Sequence, residues 1–258
     1  MSKIRIALSA LNQTPINWKE NIANITNALN EGKQKNAELI VLPELALTGY
    51  GCQDLFLSDW LYEKAEKHTE SLISQNPDST FAIGIPVKIE DQNFNGVLVV
   101  QKSKILGITF KQHLANDGLH YEHRWFTPWK KNEVKTIKYA NQTINVGDIV
   151  YNINGTKIGI EICRDAWKGE ERTAHNLIEK GAEIIINPSA SHFAFGKTMV
   201  REELGLSLTK KYNNCFLQVN LLGNESGRAI YDGDIQFHQN GKLKYKAERL
   251  SLKLVDTH

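Results

Sequence analysis

The sequence predicts an α/β protein built around a mixed sheet, and three observations carry that prediction. Short apolar runs alternate with amphipathic helical stretches in the first third of the chain, the pattern that crossover units require. Two-residue turns then join successive runs into hairpins at Lys102-Ser103, Asn154-Gly155 and Asn240-Gly241. No repeat, low-complexity segment or Pro/Gly linker divides the 258 residues, so the elements are expected to form one domain over 1–258.

Residues 3–9 alternate as a first strand. Ile16, Trp18, Ile22, Ile25, Ala28 and Leu29 then fall on one stripe of a helix over 16–35. The run 38–42 reads as a buried strand, 54–74 as a helix and 80–86 as the next strand. Strands 96–101 and 104–110 pair through Lys102-Ser103, and 147–153 and 156–162 pair through Asn154-Gly155. That second turn sets the register of the hairpin, and so aims whatever follows residue 162. A helix near 171–180, an apolar strand at 183–187 and a helix over 197–212 come next, and strands 215–221, 229–238 and 242–248 complete the domain.

Bulk properties exclude several partners. With 31 basic and 29 acidic residues, a net charge of +2 supplies no field for nucleic acid or an anionic membrane. Cys52, Cys163 and Cys215 form an odd, sparse set without metal-like spacing, which suits a reducing cytoplasm better than a disulfide framework; no metal and no cofactor are expected. The opening Met-Ser-Lys-Ile-Arg-Ile-Ala-Leu lacks the apolar core of a signal peptide, and no stretch of about 18 apolar residues could span a bilayer. A cytoplasmic protein is the expectation.

Three apolar runs end in one reactive side chain each: Glu44 after 38–42, Lys111 after 105–110 and Cys163 after 156–162. Taken singly, a cysteine is most often an inert core residue, and lysine or glutamate a solvated surface charge. Their placement changes the reading, because carboxyl ends of strands are where α/β proteins assemble sites. A thiol, an acid and an amine brought together there are the parts needed for covalent attack on an amide carbon.

In these residues and their surroundings the sequence resembles the nitrilase, or carbon–nitrogen hydrolase, superfamily, whose hallmark is a Glu-Lys-Cys triad in this order. Within it the resemblance is to the glutamine-hydrolysing domain of glutamine-dependent NAD synthetases. It rests on Pro43-Glu44-Leu45-Ala46-Leu47-Thr48-Gly49-Tyr50, on Tyr121-Glu122-His123-Arg124-Trp125-Phe126 and on Glu161-Ile162-Cys163-Arg164-Asp165-Ala166-Trp167. Asn187-Pro188-Ser189-Ala190-Ser191 and Val219-Asn220-Leu221-Leu222-Gly223-Asn224-Glu225 extend it, so that it runs from residue 4 to about 250. The resemblance implies a four-layer α-β-β-α sandwich of the nitrilase type, a homodimer or higher homo-oligomer, and no synthetase domain within this length. It further implies Cys163 as nucleophile, Glu44 as general acid and base, and Lys111 with the Arg164 N–H as oxyanion donors. Glu122 would position the lysine, and Tyr50, His120, Arg164 and Ser191 would line the substrate pocket.

The chain departs from the family pattern at three places. Arg164 stands where an acidic residue is general, His120 where an aromatic ring is common, and Ala115 where a proline is usual. Arginine cannot accept a hydrogen bond from an α-ammonium. Either Arg164 turns away and another acid such as Asp165 serves the amine, or the pocket takes an amide with an anionic group. Three functions therefore stay open: an amidase acting on a small glutamine-like carboxamide and supplying ammonia to a separate NAD synthetase, an independent ω-amidase or carbamoylase, and a non-catalytic amide-sensing subunit.

Overall fold

The computed structural model describes residues 4–225 and 229–258. In chain order the elements are β1 (Ile6–Leu11), α1 (Trp18–Gln34), β2 (Leu39–Val41), α2 (Asp59–Gln75), β3 (Thr80–Ile89), β4 (Gln92–Gln101) and β5 (Lys104–Phe110). There follow β6 (Val134–Tyr139), β7 (Gln142–Gly147), β8 (Val150–Ile153), β9 (Thr156–Ile160), α3 (Thr173–Glu179), β10 (Ile184–Ser189) and α4 (Lys197–Tyr212). The chain then runs through β11 (Cys215–Asn220), β12 (Leu222–Glu225), β13 (Ala229–Asp232), β14 (Ile235–Gln239), β15 (Lys242–Lys246) and β16 (Val255–Thr257).

Two sheets stack face to face. One has eight strands in the order β16-β1-β2-β3-β4-β5-β7-β6, the other six in the order β15-β14-β11-β10-β9-β8. The period-2 alternation of the strands decides which side chain enters which layer. Ile184 and Ile186 point between the sheets against Leu8, Val41, Val97 and Ile160, while Ile185 points outward to Leu177 and Leu208 on α3 and α4. On the far face of the larger sheet, Ile25 and Leu29 of α1 and Leu72 of α2 cover Ala7, Ile40 and Phe81. Helices, sheet, sheet, helices: this is the four-layer sandwich, with each fully buried Leu or Ile contributing about 2 kcal/mol of transfer free energy.

Local chemistry explains the turns. Asn154 (φ 50°) and Gly155 (φ 86°), Lys102 (47°) and Ser103 (65°), and Asn240 (52°) and Gly241 (70°) all occupy the left-handed region, as two-residue hairpin loops matched to strand twist require. Ala140 (48°) and Asn141 (60°) do the same for the β6–β7 hairpin, which the sequence reading passed over. Its strand Val134–Tyr139 lies at the sheet edge and buries little, so the apolar alternation is weak.

Other boundaries differ from expectation. The stretch 229–238 is two strands, because Gly233 turns at φ 63° and sends β13 to a ribbon with β12, while β14 pairs with β11. The first strand begins at Ile6, and residue 3 lies outside the described residues. The helix expected over 54–74 is a 3₁₀ turn at Gln53–Leu57 followed by α2 after an extended Ser58. Short β16 returns antiparallel along β1, a pairing that no local pattern announces. Among the described residues no helix is long and apolar enough to cross a membrane.

Candidate active site

The site lies where strands of both sheets end. Glu44 follows β2, Lys111 follows β5, Cys163 follows β9, and Ala190 follows β10. Each delivery has a local cause. Past β2 the chain crosses β3 so closely that a Cβ on Gly84 would lie 2.2 Å from Leu45 N and 2.4 Å from Pro43 O, so only glycine admits that path. Gly84 N donates to Pro43 O at 3.1 Å, and Leu45 turns at φ 48°. Lys111 N donates to Asn95 O at 2.9 Å, extending the β4–β5 pairing just to the lysine. Cys163 sits at φ 45°, a strained conformation for a residue with a Cβ, and opens a 3₁₀ turn over Cys163–Trp167.

Asp165 ties two of these ends together. Its Oδ2 accepts from Ile162 N at 2.9 Å, and its Oδ1 accepts from Gln112 N at 3.1 Å and His113 N at 2.7 Å. One buried carboxylate thus holds the backbone before the cysteine against the backbone after the lysine. With both oxygens so engaged, Asp165 is not placed to receive a substrate amine, which removes one of the alternatives drawn from the sequence.

Four side chains form the centre. The Lys111 ammonium donates to Glu44 Oε1 at 2.7 Å and to Glu122 Oε1 at 2.8 Å, with all three groups fully buried. Glu44 Oε1 also accepts from Asn95 Nδ2 at 2.7 Å, and its Oε2 from Ala190 N at 2.7 Å. Glu122 Oε2 accepts from Ala115 N, and Tyr50 donates to Oε1 at 2.5 Å. The charges of Glu44, Lys111 and Glu122 all act on the Cys163 sulfur, which the Ala190 N–H also faces.

Two carboxylates around one ammonium leave the cluster with one negative charge in excess. Burial raises the Glu44 carboxyl above its ordinary range, and the Glu122 charge adds to that while Lys111 opposes it. Burial alone would lower Lys111, but the two carboxylates outweigh it and hold the amine well above the usual lysine range. Burial pushes the Cys163 thiol up to about 12, with Glu44 adding and Lys111 opposing. Burial thus favours the neutral thiol, while the Lys111 charge acts in the opposite direction, toward the thiolate.

Around this centre the structure brings together some of the expected pocket residues and turns others aside. The Tyr50 hydroxyl lies 3.0 Å from His120 Nδ1 as well as on Glu122, and its ring packs edge-on against Tyr231. His120 Nε2 lies 2.8 Å from His192 Nδ1, so His120 is engaged at both nitrogens. The buried Ser191 hydroxyl accepts from Arg201 at 3.3 Å, and Ser191 N donates to Asn220 Oδ1 at 2.8 Å. Arg164 extends to Asp117, at 2.6 Å, with its side chain about a third exposed. Lys197, at the start of α4, feels the charges of Cys163 and Asp117 and stands 5.7 Å from the Trp167 ring centre.

Gly84, Asn95 and His192 were not singled out from the sequence, and Ala190 and Lys197 were given no role there. Gly84 carried the one available signal, a lone glycine inside an apolar run, which marks close backbone approach. Asn95 and the Ala190 N–H carried none. An asparagine beside a strand centre or an alanine amide acquires meaning only when another sheet brings a carboxylate to it.

Comparison with known proteins identifies the family. Residues 5–246 match the carbon–nitrogen hydrolase family, and the chain belongs to it. The chain is 34% identical over 98% of its length to a putative glutamine-dependent NAD(+) synthetase of Schizosaccharomyces pombe, of which it spans 38%. It superposes on all of its length with a crystal structure of a glutamine-dependent NAD(+) synthetase from Cytophaga hutchinsonii, with a TM-score of 0.91, 42% identity and 42% of that chain covered. A Nesterenkonia amidase shares the fold at a TM-score of 0.76 and 17% identity, over 96% of this chain and 87% of that one. The chain is thus an enzyme of the hydrolases that act on carbon–nitrogen bonds, spanning less than half the length of the NAD synthetases it resembles.

Proposed function

We propose that the protein hydrolyses a small, glutamine-like carboxamide to acid and ammonia through a thioester on Cys163. The observation that carries this reading is the Lys111 ammonium bridging Glu44 and Glu122 beside a thiol held at a strained turn. Glu44 takes the thiol proton as sulfur bonds to the amide carbon, and gives it to the nitrogen as the C–N bond breaks and ammonia leaves. Water then attacks the thioester with its proton passing to Glu44, and the C–S bond breaks as Glu44 returns that proton to sulfur. Because the thiol rests neutral, deprotonation accompanies attack. Lys111 and the Arg164 N–H, at the start of a 3₁₀ turn where amides lack internal acceptors, stabilise the oxyanion, each by about 3 kcal/mol.

The groups at the mouth select the acyl part. Arg164 and Lys197 bring two positive charges and Asp117 one negative, a set that fits a tail carrying both a carboxylate and an ammonium. We place the carboxylate at Lys197 and Arg164, and the ammonium at Asp117. Ammonia released here would serve a NAD synthetase, as in the relatives whose names join the two activities, within a cytoplasmic homo-oligomer. An ω-amidase or carbamoylase acting on an anionic amide is the second reading, favoured by the single excess positive charge of this set. Ammonia release by the parent and by Cys163→Ala, Glu44→Gln and Lys111→Ala, over a panel of glutamine, its des-amino analogue and N-carbamoyl acids, tests the proposal. Release from every amide by Cys163→Ala at the parent rate would end it, and so would a parent that acts on none.

A further inference from the structure

Side chains from three loops and α4 form an unbroken file from Lys197 to Glu122. Lys197 Nζ stands 3.3 Å from both ring nitrogens of His192. His192 Nδ1 lies 2.8 Å from His120 Nε2, His120 Nδ1 lies 3.0 Å from the Tyr50 oxygen, and Tyr50 donates to Glu122 Oε1 at 2.5 Å. The ends of this file set its direction, since an ammonium can only donate and a carboxylate can only accept. Glu122 receives the one proton of Tyr50, so His120 must carry its proton on Nδ1 to reach the phenol oxygen, leaving Nε2 bare. His192 must then carry its proton on Nδ1 to reach that bare nitrogen, which leaves its own Nε2 to accept from Lys197. Four links donate toward Glu122 and no donor or acceptor of the two rings is left over.

We propose that His120 and His192 are positioning residues for the amidase reaction: as Nδ1–H tautomers they reserve the Tyr50 proton for Glu122, and so fix the carboxylate that orients Lys111. This rests on the reading of Lys111 and Glu122 given above. In the opposite tautomer, His120 Nδ1 would compete for the phenol proton, and a buried carboxylate would lose a short hydrogen bond at the side facing Lys111. The file needs both imidazoles uncharged. Burial holds His120 down to about 4 and His192 below the ordinary histidine range. Lys111, Lys197 and Arg201 act in the same direction, while Glu122, Asp117, itself paired with Arg164, and Asp232 oppose them.

Nitrogen-15 NMR of histidine-labelled protein at pH 7 tests the file directly. The result expected is protonated Nδ1 and unprotonated Nε2 at both residues; an Nε2–H or charged ring at either overturns the proposal. Kinetics test the role. His192→Leu should lower kcat by about fivefold to tenfold with KM little changed, the loss expected when one hydrogen bond in a polar file is removed. His192→Asn, whose amide restores an N–H near the lost one, should recover most of that rate. Unchanged kcat in His192→Leu, or equal losses in both variants, would show that the pair only fills space. A parent enzyme that releases ammonia from no amide would defeat the amidase reading instead, and the tautomer spectrum would still decide whether the file exists.

Discussion

Gly84 underlies Glu44: the backbone of β3 at this glycine touches the Pro43–Leu45 segment, and a single added methyl group would lie 2.2 Å from Leu45 N. The position of the buried acid is therefore set by what a neighbouring strand lacks. Gly84→Ala must push the segment away, and displacement of a reacting group by about 1 Å commonly costs about a hundredfold in rate. The variant is expected to fold with near-parent circular dichroism and to lose about that much ammonia release. Parent activity in a folded Gly84→Ala protein would show that the acid is held from elsewhere.

The neutral Cys163 thiol makes a statement about pH. With the thiol raised to about 12 by burial, the thiolate fraction climbs tenfold per pH unit throughout the accessible range. In a Cys52→Ser, Cys215→Ser background, the rate of reaction of Cys163 with a small neutral disulfide should rise in that proportion from pH 7 to 10 without levelling. A plateau near pH 7 or 8 would mean that Lys111 does stabilise a resting thiolate.

His238 on β14 ties stability to pH. It is fully buried, neither ring nitrogen has a hydrogen-bond partner among the described residues, and burial lowers it to about 4. Between pH 6.5 and 4 the unfolded chain binds a proton at this ring that the folded protein refuses, so stability rises with pH in that window and is lost as pH falls through it. His120, also lowered to about 4, acts with the same sign. Melting temperatures measured from pH 7 to 4 should fall, and fall less steeply in His238→Leu. Equal slopes would mean that His238 is protonated in the native state.

The reverse packing test concerns Gly205 on α4, where a Cβ would lie 2.3 Å from His238 Nδ1. Helix propensity favours Gly205→Ala by about 1 kcal/mol, but overpacking typically costs about 1–3 kcal/mol, so the helix gain should be cancelled or exceeded. Urea denaturation of Gly205→Ala should show a midpoint no higher than that of the parent. A higher midpoint would mean that the ring moves freely aside.

Substrate choice follows from the charges at the mouth. If Asp117 receives an ammonium, Asp117→Asn should raise KM for glutamine by about tenfold, the worth of one charge-assisted hydrogen bond, and leave the des-amino analogue nearly unaffected. Steady-state kinetics on both substrates decide it. Equal effects on the two would place Asp117 in support of Arg164 alone.

The mixed sheet and the three apolar runs that end in a reactive residue were legible in the sequence for a physical reason, whereas the four layers were implied only by the resemblance to the nitrilase superfamily. Strand ends that deliver Glu44, Lys111 and Cys163 are local features, since an apolar run of fixed period ends in one polar residue. The Asn154-Gly155 turn announced the β8–β9 hairpin because its backbone requirement is local too. What escaped depended on distance. The β6–β7 hairpin lies at a sheet edge and buries too little to impose a pattern, and β16 finds β1 across nearly the whole chain. Asp165 suited an amine in the sequence because it is an acid next to Arg164; in the fold its Oδ1 is taken by backbone N–H groups from a segment more than 50 residues earlier and its Oδ2 by Ile162 N. His120 looked like a replaced aromatic until His192, 72 residues on, arrived beside it.

The most direct measurement is intact-protein mass spectrometry of samples acid-quenched within milliseconds of mixing with glutamine or its des-amino analogue. The account predicts a mass increase equal to the acyl group, mapped to Cys163, reduced in Glu44→Gln and absent in Cys163→Ala. Ammonia release with no covalent adduct on Cys163, or an adduct that persists in Cys163→Ala, would contradict it.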